Sequence, residues 1–332
     1  MTAAEDAGSA RSDWLSATSL RTVLRDRPII PLISLLLGLV VMLEVLQPGI
    51  VNERWISNTI RFAIPLAILA AAQTLTMLTG GIDLSVGIVA TMTAFVMATQ
   101  AAFMDTALAI PLALGVAALA GLANGVGVGI FRVHPLIMTL AVGLVVEGLL
   151  LVYQRFVLGS SVDLPEAITW LGTGRSFGNI PNALLVFVPL ALLMGVLLRR
   201  TGFGRLLYAI GDNEGAARLA GVRVWQVLIV LYVLSALLAG VGGLLYVGLI
   251  KANSLSLAVP LLLPSVAAAV IGGTSIFGGR GGYAGTIVGA LILQVLATVL
   301  LVLQVPEGTR RVVFGIIILA VTAAYTRITQ EH

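Results

Sequence analysis

The sequence predicts an all-α integral membrane protein with about ten transmembrane helices. Hydrophobic residues make up 59% of the 332 residues and charged residues only 10%, against roughly 25% charged residues in typical soluble domains. A membrane-spanning helix uses roughly 20 apolar residues, so about ten such helices account for nearly all of the apolar content. The composition therefore excludes an ordinary soluble domain, and it is too hydrophobic for a disordered chain.

Hydropathy and helix-breaking residues divide the chain into a polar N-terminal tail (1–28), a membrane domain (29–326) and a short C-terminal tail (327–332). The ten candidate spans are residues 29–46, 58–79, 85–104, 107–130, 134–157, 182–198, 225–249, 260–277, 283–303 and 311–326. The eighth span contains two prolines and ends in a glycine-rich run. These features are typical of a broken or half-inserted helix.

Basic residues indicate the orientation, because Lys and Arg are enriched in cytoplasmic loops. An even number of spans puts both termini on the same side of the membrane. With the N-terminus inside, the inner segments hold 12 of the 19 basic residues and the outer segments hold seven. The N-terminal tail and residues 199–224 carry nine of those 12. We therefore expect both tails to be cytoplasmic, and we attribute the net charge of +4 to topology rather than to a nucleic-acid-binding face.

Two segments, residues 78–96 and 271–293, are distantly alike. Each consists of an apolar run, a Gly-Gly pair, a short polar turn and a helix rich in small residues. An internal duplication is common in transporters, but glycine-rich turns before apolar helices also arise independently. A possible internal repeat therefore stays open beside an independent origin.

The residue types needed for most enzyme chemistry are missing. A nucleotide-binding phosphate loop needs Lys followed by Ser or Thr, whereas Lys251 is the only lysine and precedes Ala252. The lack of cysteine excludes disulfides and thiolate metal sites, and two histidines leave little for a metal cluster. His134 directly precedes Pro135 and is best interpreted as a helix-start residue. We therefore expect neither a metal site nor an enzyme.

The segment from Thr79 to Gly87 carries the most informative polar residues. Its two glycines let the backbone turn freely, and either Asp83 or Ser85 can accept the exposed amides at the start of the next helix. The same carboxylate and amides would also suit a substrate gate. The segment therefore has both a structural and a functional interpretation.

Two further polar residues lie within predicted spans. Glu147 is at mid-span, where a carboxylate needs a polar path or a partner on another helix. Asn124 lies among three glycines at a spacing of four, which favours close helix packing and an interhelical hydrogen bond. The candidates for the translocation pathway are Asp83, Ser85, Asn124 and Glu147.

The inner segment 199–226 contains a short helix with recognisable ends. Asp212 or Asn213 can cap it, Glu214 suits its first turn and Gly221 suits its end. Its small-residue face suits docking into a groove on a soluble partner, and we expect a bulky charge at Ala217 to block that docking. The alternative is a helix lying on the lipid surface, but this face is poor in the bulky apolar residues that such a role needs.

Three stretches resemble the permease subunits of ribose-type bacterial ABC sugar importers, the second carbohydrate-uptake class. They are TGGIDLSVG at 79–87, AIGDNEGAARLAGV at 209–222 and IGGTSIFGGRGGYAGTIVGALIL at 271–293. The likeness covers roughly residues 30–326. It implies a multi-pass protein of the bacterial inner membrane that pairs with a second, identical or different, permease subunit. It also implies a cytoplasmic ATPase that binds ATP-Mg and a periplasmic sugar-binding protein, with no cofactor in this chain.

The resemblance also assigns roles to residues. It implies that the coupling helix inserted into the ATPase consists of residues 212–221, including Asp212, Asn213, Glu214, Ala216, Ala217, Arg218 and Gly221. It places the region around Asp83 beside the translocation path. The family's Gly-Asn-x-x-Ala-Ala pattern appears here shifted by one residue, as Gly-Asp-Asn-Glu-Gly-Ala-Ala at 211–217.

The expected function is therefore that of a permease subunit that imports a monosaccharide or related polyol, with energy from a separate ATPase. The alternative is an ion-coupled secondary transporter of a small polar solute. A secondary transporter would be expected to contain more buried carboxylates than Asp83 and Glu147.

Overall fold

The structure, a computed structural model, describes residues 29–157, 164–176 and 178–306, and it also describes 308–310, 312, 313, 315, 316 and 319. The predicted tails 1–28 and 327–332 lie outside the described residues, as does most of the predicted tenth span. Six helices in the described part are long and apolar enough to cross a membrane, and a bent pair of helices makes a possible seventh. The predicted number of ten spans is therefore approximate.

Twelve α-helices follow one another along the described chain, with one 3-10 helix at Val259–Leu261 and a two-stranded antiparallel hairpin. The helices are α1 (Ile29–Leu46), α2 (Glu53–Leu78), α3 (Val86–Gln100), α4 (Thr106–Gly129), α5 (Pro135–Phe156), α6 (Glu166–Thr173), α7 (Leu184–Arg200), α8 (Gly202–Asp212), α9 (Glu214–Leu219), α10 (Val224–Ile250), α11 (Leu262–Ile271) and α12 (Tyr283–Val302). The strands are β1 (Arg175–Ser176) and β2 (Ile180–Pro181).

Two predicted spans differ in length from the observed helices. Helix α3 has 15 residues, too few to cross a bilayer core of about 30 Å. The predicted eighth span is the 3-10 helix followed by α11, which together reach only from Val259 to Ile271. A proline in the 3-10 helix removes an amide donor, and a glycine turn ends α11. This half-length helix agrees with the broken span that the sequence predicts.

Helix α2 lies at the centre of the bundle. Every residue of α2 from Ala63 to Leu78 is buried, and the helix packs against α10, α11 and α12. Helix α4 packs closely against α10 through Gly121, Gly125 and Gly129, which are four residues apart. A Cβ atom on Gly125 would lie 2.6 Å from the Cα atom of Ile229, and one on Gly129 would lie 2.9 Å from the carbonyl oxygen of Trp225. The predicted close packing at these glycines is confirmed.

Helix starts follow the capping residues in the sequence. The Asn52 side chain accepts a hydrogen bond from the Trp55 amide at 3.0 Å at the start of α2. His134 Nδ1 accepts from the Leu136 amide at 3.3 Å at the start of α5. The interpretation of His134 as a helix-start residue is therefore confirmed.

The bundle has two distinct ends, which α2 connects. At one, the hairpin end, Arg61 near the start of α2 donates a hydrogen bond of 3.0 Å to the carbonyl oxygen of Thr173 in α6. At the other, the α8–α9 end, Tyr208 donates a hydrogen bond of 2.9 Å to the carbonyl oxygen of Gly281. The end of α2 also lies here. The candidate site lies toward the α8–α9 end.

Candidate functional site

A tight glycine turn ends α2. The amide of Gly80 donates to the carbonyl oxygen of Met77 at 2.9 Å, and the amide of Gly81 donates to that of Thr76 at 3.0 Å. Gly80 has a φ of 75°, which a residue without a Cβ atom adopts at little cost. The turn aims residues 82–85 back into the bundle, as the two glycines predict.

A buried carboxylate fastens this turn to α10. Asp83 is 1% exposed, and its Oδ1 accepts from the Ser85 amide at 3.0 Å and from Ser85 Oγ at 2.5 Å. Its Oδ2 accepts from Ser235 Oγ of α10 at 2.9 Å. The Asp83 carboxylate, rather than the Ser85 hydroxyl, accepts a hydrogen bond from a backbone amide at the start of α3, that of Ser85. Asp83 thus satisfies three donors at once, which compensates part of the cost of burying it.

The backbone around Asp83 is held from two other helices. Gln73 of α2 donates from Nε2 to the Asp83 carbonyl oxygen at 2.7 Å and accepts from the Asp83 amide at 3.3 Å. Thr139 of α5 accepts from the Leu84 amide at 3.0 Å and donates to the carbonyl oxygen of Ile82 at 3.2 Å. The turn is therefore bonded to α2, α5 and α10 together.

Asn124 extends the buried polar cluster to α4. Its Nδ2 donates to Ser85 Oγ at 2.9 Å, which is the interhelical bond predicted from its surroundings. Asn124 Oδ1 and the hydroxyl of Tyr232 are buried without a hydrogen-bond partner among the described residues. Because Ser85 Oγ donates to Asp83, it accepts from Asn124, and this fixes the orientation of the Asn124 amide. We call Asp83, Ser85, Asn124, Tyr232 and Ser235 the Asp83 cluster.

The structure brings three of the four predicted pathway residues together and separates the fourth. Asp83, Ser85 and Asn124 are at most 1% exposed, so they lie inside one chain and do not line an open path in this conformation. Glu147 is exposed on α5 between Leu144 and Leu151, which are 62% and 50% exposed. It has no hydrogen-bond or ion-pair partner among the described residues. Its surroundings are thus apolar and lie on the outside of the bundle.

A second glycine turn has the same hydrogen-bond pattern as the first. After α11, the Gly273 amide donates to the Val270 carbonyl oxygen and the Thr274 amide to that of Ala269, both at 2.9 Å. Gly273 has a φ of 88°. The two distantly similar segments thus share a helix, a glycine turn and a second helix. Because α9 ends in the same pattern at Gly221 and Val222, the pattern does not distinguish an internal repeat from an independent origin.

Helix α9 has the predicted cap but is shorter than the predicted coupling helix. Asn213 Oδ1 accepts from the Ala216 amide at 2.9 Å, whereas Asp212 is the last residue of α8. Glu214 and Arg218 form an ion pair, and Gly221 follows with a φ of 86°.

The burial of Ala217 contradicts its predicted place on a docking face. Ala217 is 6% exposed and packs into the main core, whereas Ala216 is exposed and Leu219 is 92% exposed. Residues three apart share a helix face, so Ala216 and Leu219 point outward together while Ala217 points into the bundle. A charge at Ala217 would therefore disturb the permease itself.

Helix α8 is the element that the sequence reasoning missed. The Thr201 side chain accepts from the Gly204 amide at 3.1 Å, and the buried residues Leu207 and Ile210 are one turn apart on the inward face. This threonine cap and spacing were available in the sequence, although glycines and an arginine interrupt the apolar run. Helix α8 bends by 65° from α7.

The end of α8 lies directly against the end of α2 and against the glycine-rich segment that follows α11. A Cβ atom on Gly211 would collide with the carbonyl oxygen of Leu78 and the amide nitrogen of Gly279. These two backbone atoms also form a hydrogen bond of 3.0 Å with each other. A continuous backbone contact therefore connects α9, through α8, with the turn that carries Asp83.

Comparisons with known proteins identify related permeases. A family model described as "Branched-chain amino acid transport system / permease component" matches residues 55–322. The ribose import permease protein RbsC of Escherichia coli (strain K12) is 34% identical over 290 residues, which cover 86% of this chain and 89% of RbsC.

Relatives named for other sugars align over similar lengths. The fructose import permease protein FrcC of Rhizobium meliloti is 34% identical over 301 residues, covering 88% of this chain and 83% of FrcC. The galactofuranose transporter permease protein YtfT of E. coli (strain K12) is 36% identical over 266 residues, covering 78% and 76% of the two chains. No solved structure matches the chain significantly.

Proposed function

Because the chain belongs to the permease family of branched-chain amino acid transport system components, we propose that it is the membrane-spanning subunit of an ABC importer for a monosaccharide or related polyol. It is a multi-pass membrane protein, with several helices of spanning length. The observation that carries the sugar assignment is its likeness, over most of both chains, to permeases named for ribose, fructose and galactofuranose.

The proposed energy source is a separate ATPase that docks on α9. The chain has no phosphate-loop lysine, since its only lysine is followed by alanine, so ATP-Mg would bind in that partner. Helix α9 supports the proposal because it is capped, exposes Leu219 and follows α8, whose Gly211 contacts the end of α2 and the glycine-rich segment after α11. We place this end, the N-terminus and the C-terminus in the cytoplasm and the membrane domain in the bacterial inner membrane.

The proposed import route needs two more proteins. A periplasmic sugar-binding protein would dock at the hairpin end, and a second permease subunit would pack against this chain to complete the path. The exposed face of α5 is the proposed contact, because Glu147 lies there between exposed leucines without a hydrogen-bond or ion-pair partner among the described residues, and a carboxylate facing lipid would be costly. Glu147 would then face the second subunit or the water-filled path between the two.

An ion-coupled secondary transporter is the weaker candidate. Such a transporter exchanges ions at buried carboxylates that gain and lose their partners. Asp83 is the only buried carboxylate among the described residues, and three donors already bond to it. This arrangement indicates that Asp83 has a structural role and does not bind and release a transported ion.

The discriminating experiment uses proteoliposomes of the full permease with and without its ATPase and binding protein. We expect uptake of labelled monosaccharides only when all components and ATP on the ATPase side are present. Uptake by the permease alone, driven by a sodium or proton gradient, would establish the secondary transporter instead. A panel of pentoses, hexoses and sugar alcohols then assigns the substrate.

A further inference from the structure

A cleft with three arginines lies at the α8–α9 end, between the end of α4 and the start of α10. Its volume is about 560 Å³. The arginines are Arg132, which follows α4, Arg218 of α9 and Arg223, which immediately precedes α10. Ile130 and Trp225 contribute apolar walls.

The cleft has an excess of positive charge. Arg218 pairs with Glu214, but Arg132 and Arg223 are exposed and have no hydrogen-bond or ion-pair partner among the described residues. No carboxylate belongs to the lining. Guanidinium groups present N–H donors in a fork that matches phosphate oxygens. A phosphate-bearing anion would therefore neutralise the positive charge of Arg132 and Arg223, which no group of the described residues does.

The length of α10 places the cleft at the level of lipid headgroups. The helix has 27 residues and is thus about 40 Å long, whereas the hydrocarbon core of a bilayer is about 30 Å thick. The helix is therefore longer than the hydrocarbon is thick, and Arg223 before its first turn and Lys251 after its last turn place both of its ends at the headgroups. Large apolar side chains surround the first of these ends, since Ile130 is 51%, Phe131 73% and Trp225 45% exposed. Tryptophan is enriched at this depth of a membrane.

We propose that this cleft binds the phosphodiester headgroup of an anionic phospholipid. Arg132 and Arg223 donate to the phosphate oxygens, and Trp225 and Phe131 contact the glycerol and upper acyl chains. Basic pockets between transmembrane helices recognise such headgroups, and the apolar rim favours a lipid over a free anion or an acidic protein segment. The inference requires only that α4 and α10 span a membrane, so it does not depend on the transported substrate.

The position of Arg218 gives the lipid a mechanical role. Arg218 lies on α9 and also lines the cleft. A headgroup bound there holds one side of α9 at the membrane surface, while Ala216 and Leu219 remain exposed for a partner.

The test measures quenching of Trp225 fluorescence by phosphatidylglycerol with brominated acyl chains. The chain has four tryptophans, so the full-length protein is purified in detergent with Phe at the other three positions. We expect saturable quenching and little quenching by brominated phosphatidylcholine. The Arg132→Gln/Arg223→Gln variant should bind phosphatidylglycerol about twentyfold more weakly. Arg199→Gln/Arg200→Gln, an exposed pair at the end of α7, removes the same charge outside the cleft and should change the affinity less than about twofold.

Several outcomes would overturn the proposal. Equal weakening in both double variants would show attraction by general charge, and equal quenching by phosphatidylcholine would show contact with apolar surface alone. Displacement of the lipid by excess inorganic phosphate would identify a free-anion site. Unchanged quenching in the cleft variant with loss of ATPase co-purification would identify a protein contact. If the double variant does not fold, the single variants Arg132→Gln and Arg223→Gln decide, with a loss of about fivefold expected in each.

Discussion

The amide of Gly279 donates a hydrogen bond to the carbonyl oxygen of Leu78, with 3.0 Å between nitrogen and oxygen. The bond joins the glycine-rich segment that follows α11 to the end of α2, and Gly211 of α8 lies against both of its atoms. These contacts are between backbones and have no flexible side chain between them. A displacement of α8 must therefore move both segments together.

Gly211→Ala should lower both the stability of the permease and its uptake of sugar. The added methyl group would collide with backbone at Leu78 and Gly279, which cannot rotate away as a side chain can, and overpacking of this kind costs about 1–3 kcal/mol. The measurements are thermal unfolding by circular dichroism and sugar uptake at matched membrane levels. Gly202→Ala is the control, because a Cβ atom there meets nothing closer than 3.8 Å. Normal uptake and stability in Gly211→Ala would refute the transmission route.

Leu219→Glu should abolish ATPase co-purification and uptake without changing the melting temperature of the permease. Leu219 is 92% exposed, so its own chain loses little when it is replaced. Ala217→Glu should instead lower the melting temperature, because it buries an unpaired charge in the core.

Gln226→Glu is the control for Leu219→Glu, because it also adds one negative charge at an exposed position, in the first turn of α10. Retained co-purification with Leu219→Glu would place the ATPase contact elsewhere on the molecule.

Asp83→Leu should destabilise the protein more than Ser235→Ala. The leucine leaves the Ser85 amide and two serine hydroxyls without an acceptor, and each buried unsatisfied group costs about 1–3 kcal/mol. Loss of the Ser235 bond alone should cost about 0.6 kcal/mol, the average for side-chain bonds between membrane helices. Ser254→Ala, at an exposed serine, is the matched control for the second variant. The reverse order of melting temperatures would contradict the role of Asp83 as the hub of the cluster.

Cysteine labelling should place α9 in the cytoplasm. The chain has no native cysteine, so Gly215→Cys and Ala102→Cys each introduce a single exposed thiol at opposite ends of the bundle. In intact cells, a reagent that cannot cross the inner membrane should label position 102 and leave position 215 unlabelled. Labelling of position 215 alone would invert the topology.

Glu147→Leu should reduce uptake and association of the two permease subunits, whereas Glu147→Gln should retain most of both, since it keeps size and hydrogen bonding. Leu151→Ala, one turn further along the same exposed face, is the control for a change of shape. Unchanged uptake and assembly in Glu147→Leu would mean that this carboxylate meets neither a subunit nor the path.

Local sequence signals predicted the helices and turns that short-range chemistry determines. The paired glycines at 80–81, the Asn213 cap and the glycine spacing in α4 act within a few residues or through one helix face, and each has the predicted structural role. The burial of Ala217 depended instead on which side of α9 meets the core. Which side of α9 faces the core depends on the direction of α8, which bends by 65° from α7. No residue at this bend is as clear a signal in the sequence as a proline would be.

The grouping around Asp83 shows the same limit. Asp83, Asn124 and Ser235 lie on separate elements, and only tertiary packing brings them together. The sequence identified Asp83 and Asn124 as unusual polar residues within apolar surroundings, but Ser235 and Tyr232 carry no charge and did not differ from ordinary residues of an apolar helix. Glu147 was recognisable for its charge alone, and its exposure outside the bundle required the positions of α3 and α4.

The bond between Asp83 and Ser235 joins residues 152 positions apart in the chain, and this separation matters during synthesis. Ribosomes add about 5–20 residues per second, so Asp83 leaves the ribosome roughly 8–30 s before Ser235 does. Throughout that interval the nascent membrane protein carries a carboxylate whose helical partner does not yet exist. Until α10 is made, only the Ser85 amide and hydroxyl donate to this carboxylate, so we expect the early segment to stay beside water or the insertion machinery. A chain that stops before α10 should accordingly be recognised by membrane quality control and degraded.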